Sequence, residues 1–161
     1  MKRSRAGVRA RLGRGAEADA DDAMRVDELM TRALVTIGHD ATVVDAWTLM
    51  RTRQVRHLPV LDAERRLIGI LTDHDLRQVI LERAVGEEPA RSAPPLAGLR
   101  VNEIMTWGVV MVRPDADVRD AARIMQERKL GALPVAEGGR VVGMLTATDV
   151  IEGLAAVPGG R

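Results

Sequence analysis

Two short stretches decide how the chain is read: GILTDHDL at Gly69–Leu76 and GMLTATDV at Gly143–Val150. Each runs glycine, two apolar residues, threonine, two variable residues, aspartate and one more apolar residue. They lie 74 residues apart and close a longer duplication. Val26–Val60 aligns with Val101–Val135 at an offset of 75 without a gap, and 15 of the 35 pairs are identical. After one deletion in a turn, Leu67–Leu76 continues against Val141–Val150. Self-similarity at a fixed offset means two copies of one structural unit.

With 161 residues, the chain is about one domain long. Apolar residues make up 46% of it, enough for a core, yet Phe, Tyr and Cys are absent and Trp47 and Trp107 are the only aromatics. Val, Leu, Ile, Ala and Met must therefore do the packing. Without cysteine, disulfides and thiolate zinc sites are excluded and no oxidising compartment is needed. No apolar run approaches the roughly 18 residues of a membrane span. The expected location is cytoplasmic, with no membrane partner.

Charge is unevenly placed despite a net value of +1. Lys2, Arg3, Arg5, Arg9, Arg11 and Arg14 precede Glu17, Asp19, Asp21 and Asp22. Residues 1–23 lack apolar periodicity and read as a mobile tail, or as an upstream start before Met24. They lack the apolar stretch of a secretory signal. A nucleic-acid arm is disfavoured, because no aromatic platform or paired recognition helix accompanies the basic residues.

Each copy spells the same elements. VDELM at Val26–Met30 suggests a short helical entry, and LVTI at Leu34–Ile37 a strand. Val43, Ala46, Trp47 and Met50 fall at i, i+3, i+4 and i+7, an amphipathic helix with Thr42 placed to cap it. Val118, Ala121, Ala122 and Met125 repeat the stripe behind Asp117. LPVL and RLIGIL follow as strands around a polar turn at Asp62–Arg65; the second turn is Gly138-Gly139. Closing helices are expected at about Asp73–Arg83 and Ala147–Ala155. Gly69 and Gly143 are single glycines inside strands, which points to close backbone approach. The expected organisation is a tail at 1–23, a first repeat at 24–83, a Pro-rich linker at 84–99, a second repeat at 100–155 and a tail at 156–161. The order strand–helix–strand–strand–helix is α+β. Units of about 50 residues stabilise themselves poorly, so the two are expected to pack together.

MTRALVTI, DATVVDA, VRHLPVLD and RLIGILTDHDL, with their second copies, resemble the CBS domain, named after cystathionine β-synthase. The resemblance runs from Val26 to Glu152. It implies two tandem CBS units about a pseudo-twofold axis, with an adenosine-containing ligand in the cleft between them. AMP, ADP or ATP is the expected ligand, with S-adenosylmethionine or NAD as the alternative. The resemblance also implies a non-catalytic regulatory module that forms a homodimer and signals to an unknown protein partner by population shift. The rival is a dimerisation or interaction module that binds no small molecule.

Thr72-x-x-Asp75 and Thr146-x-x-Asp149 admit two readings. One is a capping box, with hydroxyl and carboxylate exchanging bonds with each other's backbone amides. The other is a sugar site, with the carboxylate accepting from ribose hydroxyls at a helix start that carries positive potential. The resemblance favours the second, and places His74 and Thr148 beside the same cleft. It also places Thr36 and Ile37, with Met111 and Val112, where main-chain groups meet an adenine edge, and Val55 and Leu130 over the ring. The plainer reading makes these core residues. Arg56 and His57 precede Leu58-Pro59-Val60, where family members often carry basic residues for phosphates; the second copy has Gly131 and Ala132. The two sites are therefore expected to differ in their appetite for phosphate, unless Arg56 is merely a solvated surface residue.

No catalytic reading survives the same inspection. Asp73, His74 and Asp75 would project about 100° apart on a helix and cannot converge on one ion. No nucleophile is paired with a base, and no glycine-rich phosphate loop occurs. Trp107 could stack on a base or cover a subunit contact.

Overall fold

The computed structural model of the chain describes residues 23–85 and 96–156. The tail expected at 1–23 (Ala23 apart), residues 86–95 of the expected linker and residues 157–161 lie outside these. In chain order the elements are α1 (Val26–Leu29), β1 (Ile37–Gly38), α2 (Val43–Arg53), β2 (His57–Leu61), β3 (Leu67–Thr72) and α3 (Asp73–Val85). After a 3-10 turn at Leu96–Gly98 come α4 (Val101–Ile104), β4 (Thr106–Trp107), α5 (Val118–Arg128), β5 (Ala132–Glu137), β6 (Arg140–Thr146) and α6 (Ala147–Ala156). The chain is thus mixed α and β, and it divides into two compact units.

The first unit, Val35–Val109, holds a four-stranded sheet in the order β1-β2-β3-β4, with β1 parallel to β2 and the other pairs antiparallel. The second comprises the described parts of 8–34 and 110–161 and is built on the β5–β6 hairpin. Single bridges extend that hairpin on both sides, Val112 with Val135 and Thr31 with Met144. These bridges sit where β1 and β4 sit in the first unit. Each unit therefore combines the body of one sequence copy with the entry segment of the other. Val26 N–H donates to Ala116 at 2.9 Å and Thr31 N–H to Met144 at 2.8 Å, while Val101 N–H donates to Ala41 at 2.9 Å.

The helices form where capping and apolar spacing agree. Thr42 Oγ1 accepts from Asp45 N–H at 3.1 Å, and the Asp45 carboxylate accepts from Thr42 N–H at 3.1 Å, a complete capping box. Asp117 caps α5 by accepting from Arg119 N–H at 2.7 Å. Both helices end on a left-handed residue, Gln54 and Lys129, each at φ 54°. Val43, Ala46 and Met50 are buried beneath α2, and Val118, Ala121 and Met125 beneath α5. Leu58, Val60, Leu71 and Leu76 complete the first core, and Leu133, Val135, Leu145 and Val150 the second.

The strand expected at Leu34–Ile37 is shorter than its apolar run, and proline explains why. Val112 N–H donates to Pro134 O at 3.1 Å and Ala136 N–H returns to Val112 O at 2.9 Å. Extending this parallel ladder upstream would require an N–H from Pro134, which has none. Pro59 stands at the same place beside β1, so that ladder also starts only at Ile37. The closing helices run slightly past their expected ends, to Val85 and Ala156. Trp107 lies in β4, paired with Gly69, and its side chain is 59% exposed. Among the described residues, no helix is long and apolar enough to cross a membrane.

Candidate functional site

Both Thr-x-x-Asp motifs fall where a strand runs without a loop into a helix, β3 into α3 and β6 into α6. At the first junction Asp75 Oδ2 accepts from Thr72 N–H at 2.8 Å and from Thr72 Oγ1 at 2.7 Å, while Asp75 N–H donates to Thr72 Oγ1 at 3.2 Å. Thr146 and Asp149 reproduce the same distances. The capping reading is thus realised in both units. It consumes only part of each group. Both bonds to the carboxylate fall on Oδ2, so Oδ1 lies outside the box. Each threonine hydroxyl spends its proton and one lone pair, keeping one lone pair. Beyond the box, the two side chains of each half-buried junction therefore offer acceptors alone, which suits a partner rich in hydroxyl donors.

The neighbouring candidates are woven to these junctions through backbone. Asp73 N–H donates to Arg56 O at 3.0 Å, and His57 pairs with Thr72 across β2 and β3. In the second unit Ala147 N–H donates to Gly131 O at 2.9 Å and Ala132 pairs with Thr146. Each unit thus brings the residues before its LPV motif against its Thr-x-x-Asp motif. Thr36 and Met111, both half-buried, stand one residue ahead of the parallel pairing. Ile37 and Val112 are 8% and 7% exposed, so their side chains belong to the cores, and the N–H and C=O of Val112 are already bonded to Pro134 and Ala136. Val55 and Leu130 are half-buried and pack against the same cores. His74 and Thr148 are exposed.

His57 is half-buried, and that burial lowers its pKa below the ordinary imidazole value. The Asp73 and Asp75 carboxylates oppose the shift, and the Arg56 guanidinium reinforces it. Lowering the pKa in the folded state means that, below about pH 6.5, the unfolded chain binds more protons at this residue. Stability from His57 is therefore complete above that value and falls away as the pH drops through it. Ala132 fills the matching place in the second unit, so alanine fits there. Thermal unfolding of His57→Ala between pH 7 and 5 should lose less stability on acidification than the unsubstituted chain. Parallel curves would exclude His57 as a source of that slope.

Two features escaped the sequence reading. Thr42 and Asp45 form a third Thr-x-x-Asp box, with Thr42 Oγ1 to Asp45 Oδ2 at 2.6 Å. The spacing was visible in the sequence; its geometry shows that a complete box forms at an ordinary helix start too. The other is a groove in the first unit to which Val55 and Arg56 contribute, with Trp47, Arg51, Asp73 and Arg77. Neither Thr72 nor Asp75 lines it, and only the fold brings α2 and α3 to one place.

A family model of the CBS domain matches residues 26–82 and 101–156. The chain is 32% identical over 128 residues to a CBS domain-containing protein of Dictyostelium discoideum, covering 79% of this chain and 88% of that one. It is 30% identical over 148 residues to an uncharacterised protein of Methanocaldococcus jannaschii, covering 89% of this chain but only 35% of the longer relative. Among solved structures, CBSX2 of Arabidopsis thaliana in complex with AMP is 28% identical, with a TM-score of 0.69 over 83% of this chain and 97% of that chain.

Proposed function

The chain belongs to the CBS domain family, and on that premise we propose that it is a non-catalytic regulatory pair that binds an adenosine nucleotide, AMP, ADP or ATP. The observation that carries this reading is the pair of strand-to-helix junctions, each offering Asp Oδ1 and one threonine lone pair beyond the capping box. A ribose diol supplies two hydroxyl donors and fits that acceptor set. The similarity to CBSX2, solved with AMP, supports the same ligand class. Arg56 gives the first unit a cationic neighbour that Gly131 does not give the second, and His57, where the second unit has Ala132, adds a ring donor, so the phosphorylated ligand favours the first. A ligand held more tightly in one arrangement of the chain shifts the population toward it, and a protein partner reads the difference.

A second reading has its own support. The Thr42–Asp45 box shows the motif serving as a cap alone, and Ile151 and Leu154 on α6 are 68% and 45% exposed. A homodimer that covers this apolar face and binds no small molecule would account for both. Thermal unfolding with AMP, ADP, ATP, NAD and S-adenosylmethionine separates the two readings. At a ligand concentration about 100 times Kd, binding to the folded state adds roughly 2.7 kcal/mol, so a clear rise in Tm with AMP, ADP or ATP is expected. No rise with any of the five leaves the interaction module. Native mass spectrometry of the purified chain reports the oligomer and any retained nucleotide together.

A further inference from the structure

Away from the Thr-x-x-Asp junction, the first unit carries an open groove of about 280 Å3 between the last turn of α2 and the start of α3. Arg51, Arg56 and Arg77 reach it, with Asp73 as the one carboxylate. That carboxylate is already engaged, pairing with Arg77 at 3.2 Å. Arg51 stands 6.0 Å from the centre of the Trp47 ring. Among the described residues neither Arg51 nor Arg56 has an ion pair with a carboxylate. Positive charge therefore exceeds negative by two at the groove.

Helix electrostatics explain only part of this. Arg51 suits the negative C-terminal end of α2. Arg77 has a local reason too, an i,i+4 ion pair with Asp73 in the first turn of α3, so Arg56, on the connector between α2 and β2, is the cation that neither helix accounts for. The architecture does not require the cluster either. At the matching positions the second unit, with the same helix–strand–strand–helix body, has Ala122, Gln126, Gly131, Ala147 and Ile151, all uncharged. The cations are an addition to the fold, and they are partly preorganised. Trp47 steadies Arg51 and Asp73 steadies Arg77, which reduces the freedom lost when a ligand is gripped.

We propose that this groove is an anion site for a phosphate-bearing ligand of at least two negative charges, separate from the acceptor set at Asp75. Forked guanidinium donors match phosphate oxygens, and two or three of them can share one phosphate or adjacent ones. Arg56, assigned above to the phosphate end of the nucleotide, also lines this groove, so the proposal extends that reading, and the Asp75→Asn arm below separates a failure of one from a failure of the other. The shared chemistry is a phosphate chain, free or on a nucleotide.

The test uses the full chain with sodium tripolyphosphate as probe, followed by isothermal titration at low and moderate salt. The unsubstituted chain should bind it, more weakly as salt rises. Arg51→Gln with Arg77→Gln should weaken binding at least about tenfold, as expected for lost charge-assisted bonds. Both side chains are exposed, and an unchanged Tm establishes that the variant is folded. Asp75→Asn should leave tripolyphosphate binding within about twofold, since Asp75 lies outside the groove. Displacement of the probe by ATP but not by adenosine would identify a nucleotide tail as the occupant; displacement by neither would identify free polyphosphate. Absence of tripolyphosphate binding, or equal binding by the double Arg variant, would overturn the proposal.

Discussion

Asp75→Asn combined with Asp149→Asn should cost the chain most of its affinity for AMP while leaving it folded. Asparagine keeps one carbonyl oxygen, which can still take the bonds from Thr72 N–H and Oγ1 that now fall on Oδ2. What changes is the outward atom, where an acceptor that carried charge becomes an NH2 donor facing the sugar. A hydrogen bond to a charged group contributes about 1.5–3 kcal/mol, so each site should weaken by about 10- to 100-fold. Asp45→Asn is the internal control. Its box has the same partners, with Thr42 N–H at 3.1 Å and Oγ1 at 2.6 Å, but it starts α2 and has no role in the sugar reading. All three substitutions should lower stability by similar small amounts, within the roughly 0.5–2 kcal/mol of a helix cap. Only those at Asp75 and Asp149 should move the AMP titration. Double-variant affinity within about twofold of the unsubstituted chain would leave these aspartates as caps and nothing more.

That contrast shows where sequence reading reaches its limit. The duplication was legible because it is long and ordered, and the caps at Thr42 and Asp117 were legible because capping is local. So were the strand glycines, whose neighbours turned out to be backbone and methionine. The length of β1 was not legible from its own residues. The donor it lacks belongs to Pro59, more than 20 residues away, and only the parallel pairing connects them. The exchange of entry segments was equally hidden, since Val26 and Val101 are identical in type and either could dock on either body. At the site, the motif spacing admitted both the box, which forms, and a sugar contact, which the resemblance favoured and the AMP titration tests, because one geometry serves both. The groove of Arg51, Arg56 and Arg77 carried no sequence signal, its members being spread over two helices and a connector.

Gly69→Ala should be among the most destabilising single-methyl additions to the chain. A Cβ at Gly69 would sit 2.5 Å from Met105 Sδ and 3.0 Å from Thr106 O. The methionine is flexible, but its sulfur is mid-chain and its side chain is buried in the first core, 6% exposed. The carbonyl belongs to β4, which pairs with β3 through Gly69 and Ile70 alone. Relieving the overlap therefore means pushing β4 away from its two-residue ladder as well as moving the sulfur. Overpacking of this kind costs about 1–3 kcal/mol. Gly143 repeats the arrangement with Met30 Sδ at 2.5 Å, but Thr31 O stands at 3.2 Å, so Gly143→Ala should cost somewhat less. Gly153 supplies a contrast. Its added methyl would sit 2.3 Å from Leu29 Cδ1 and 3.0 Å from its Cγ, so the partly exposed Leu29 side chain must move, while alanine is favoured over glycine within a helix by about 1 kcal/mol. Gly153→Ala should consequently cost less than Gly69→Ala. Urea midpoints for the three variants rank the effects directly. If Gly69→Ala unfolded no earlier than Gly153→Ala, the close approach of β4 to β3 would not be what requires glycine there.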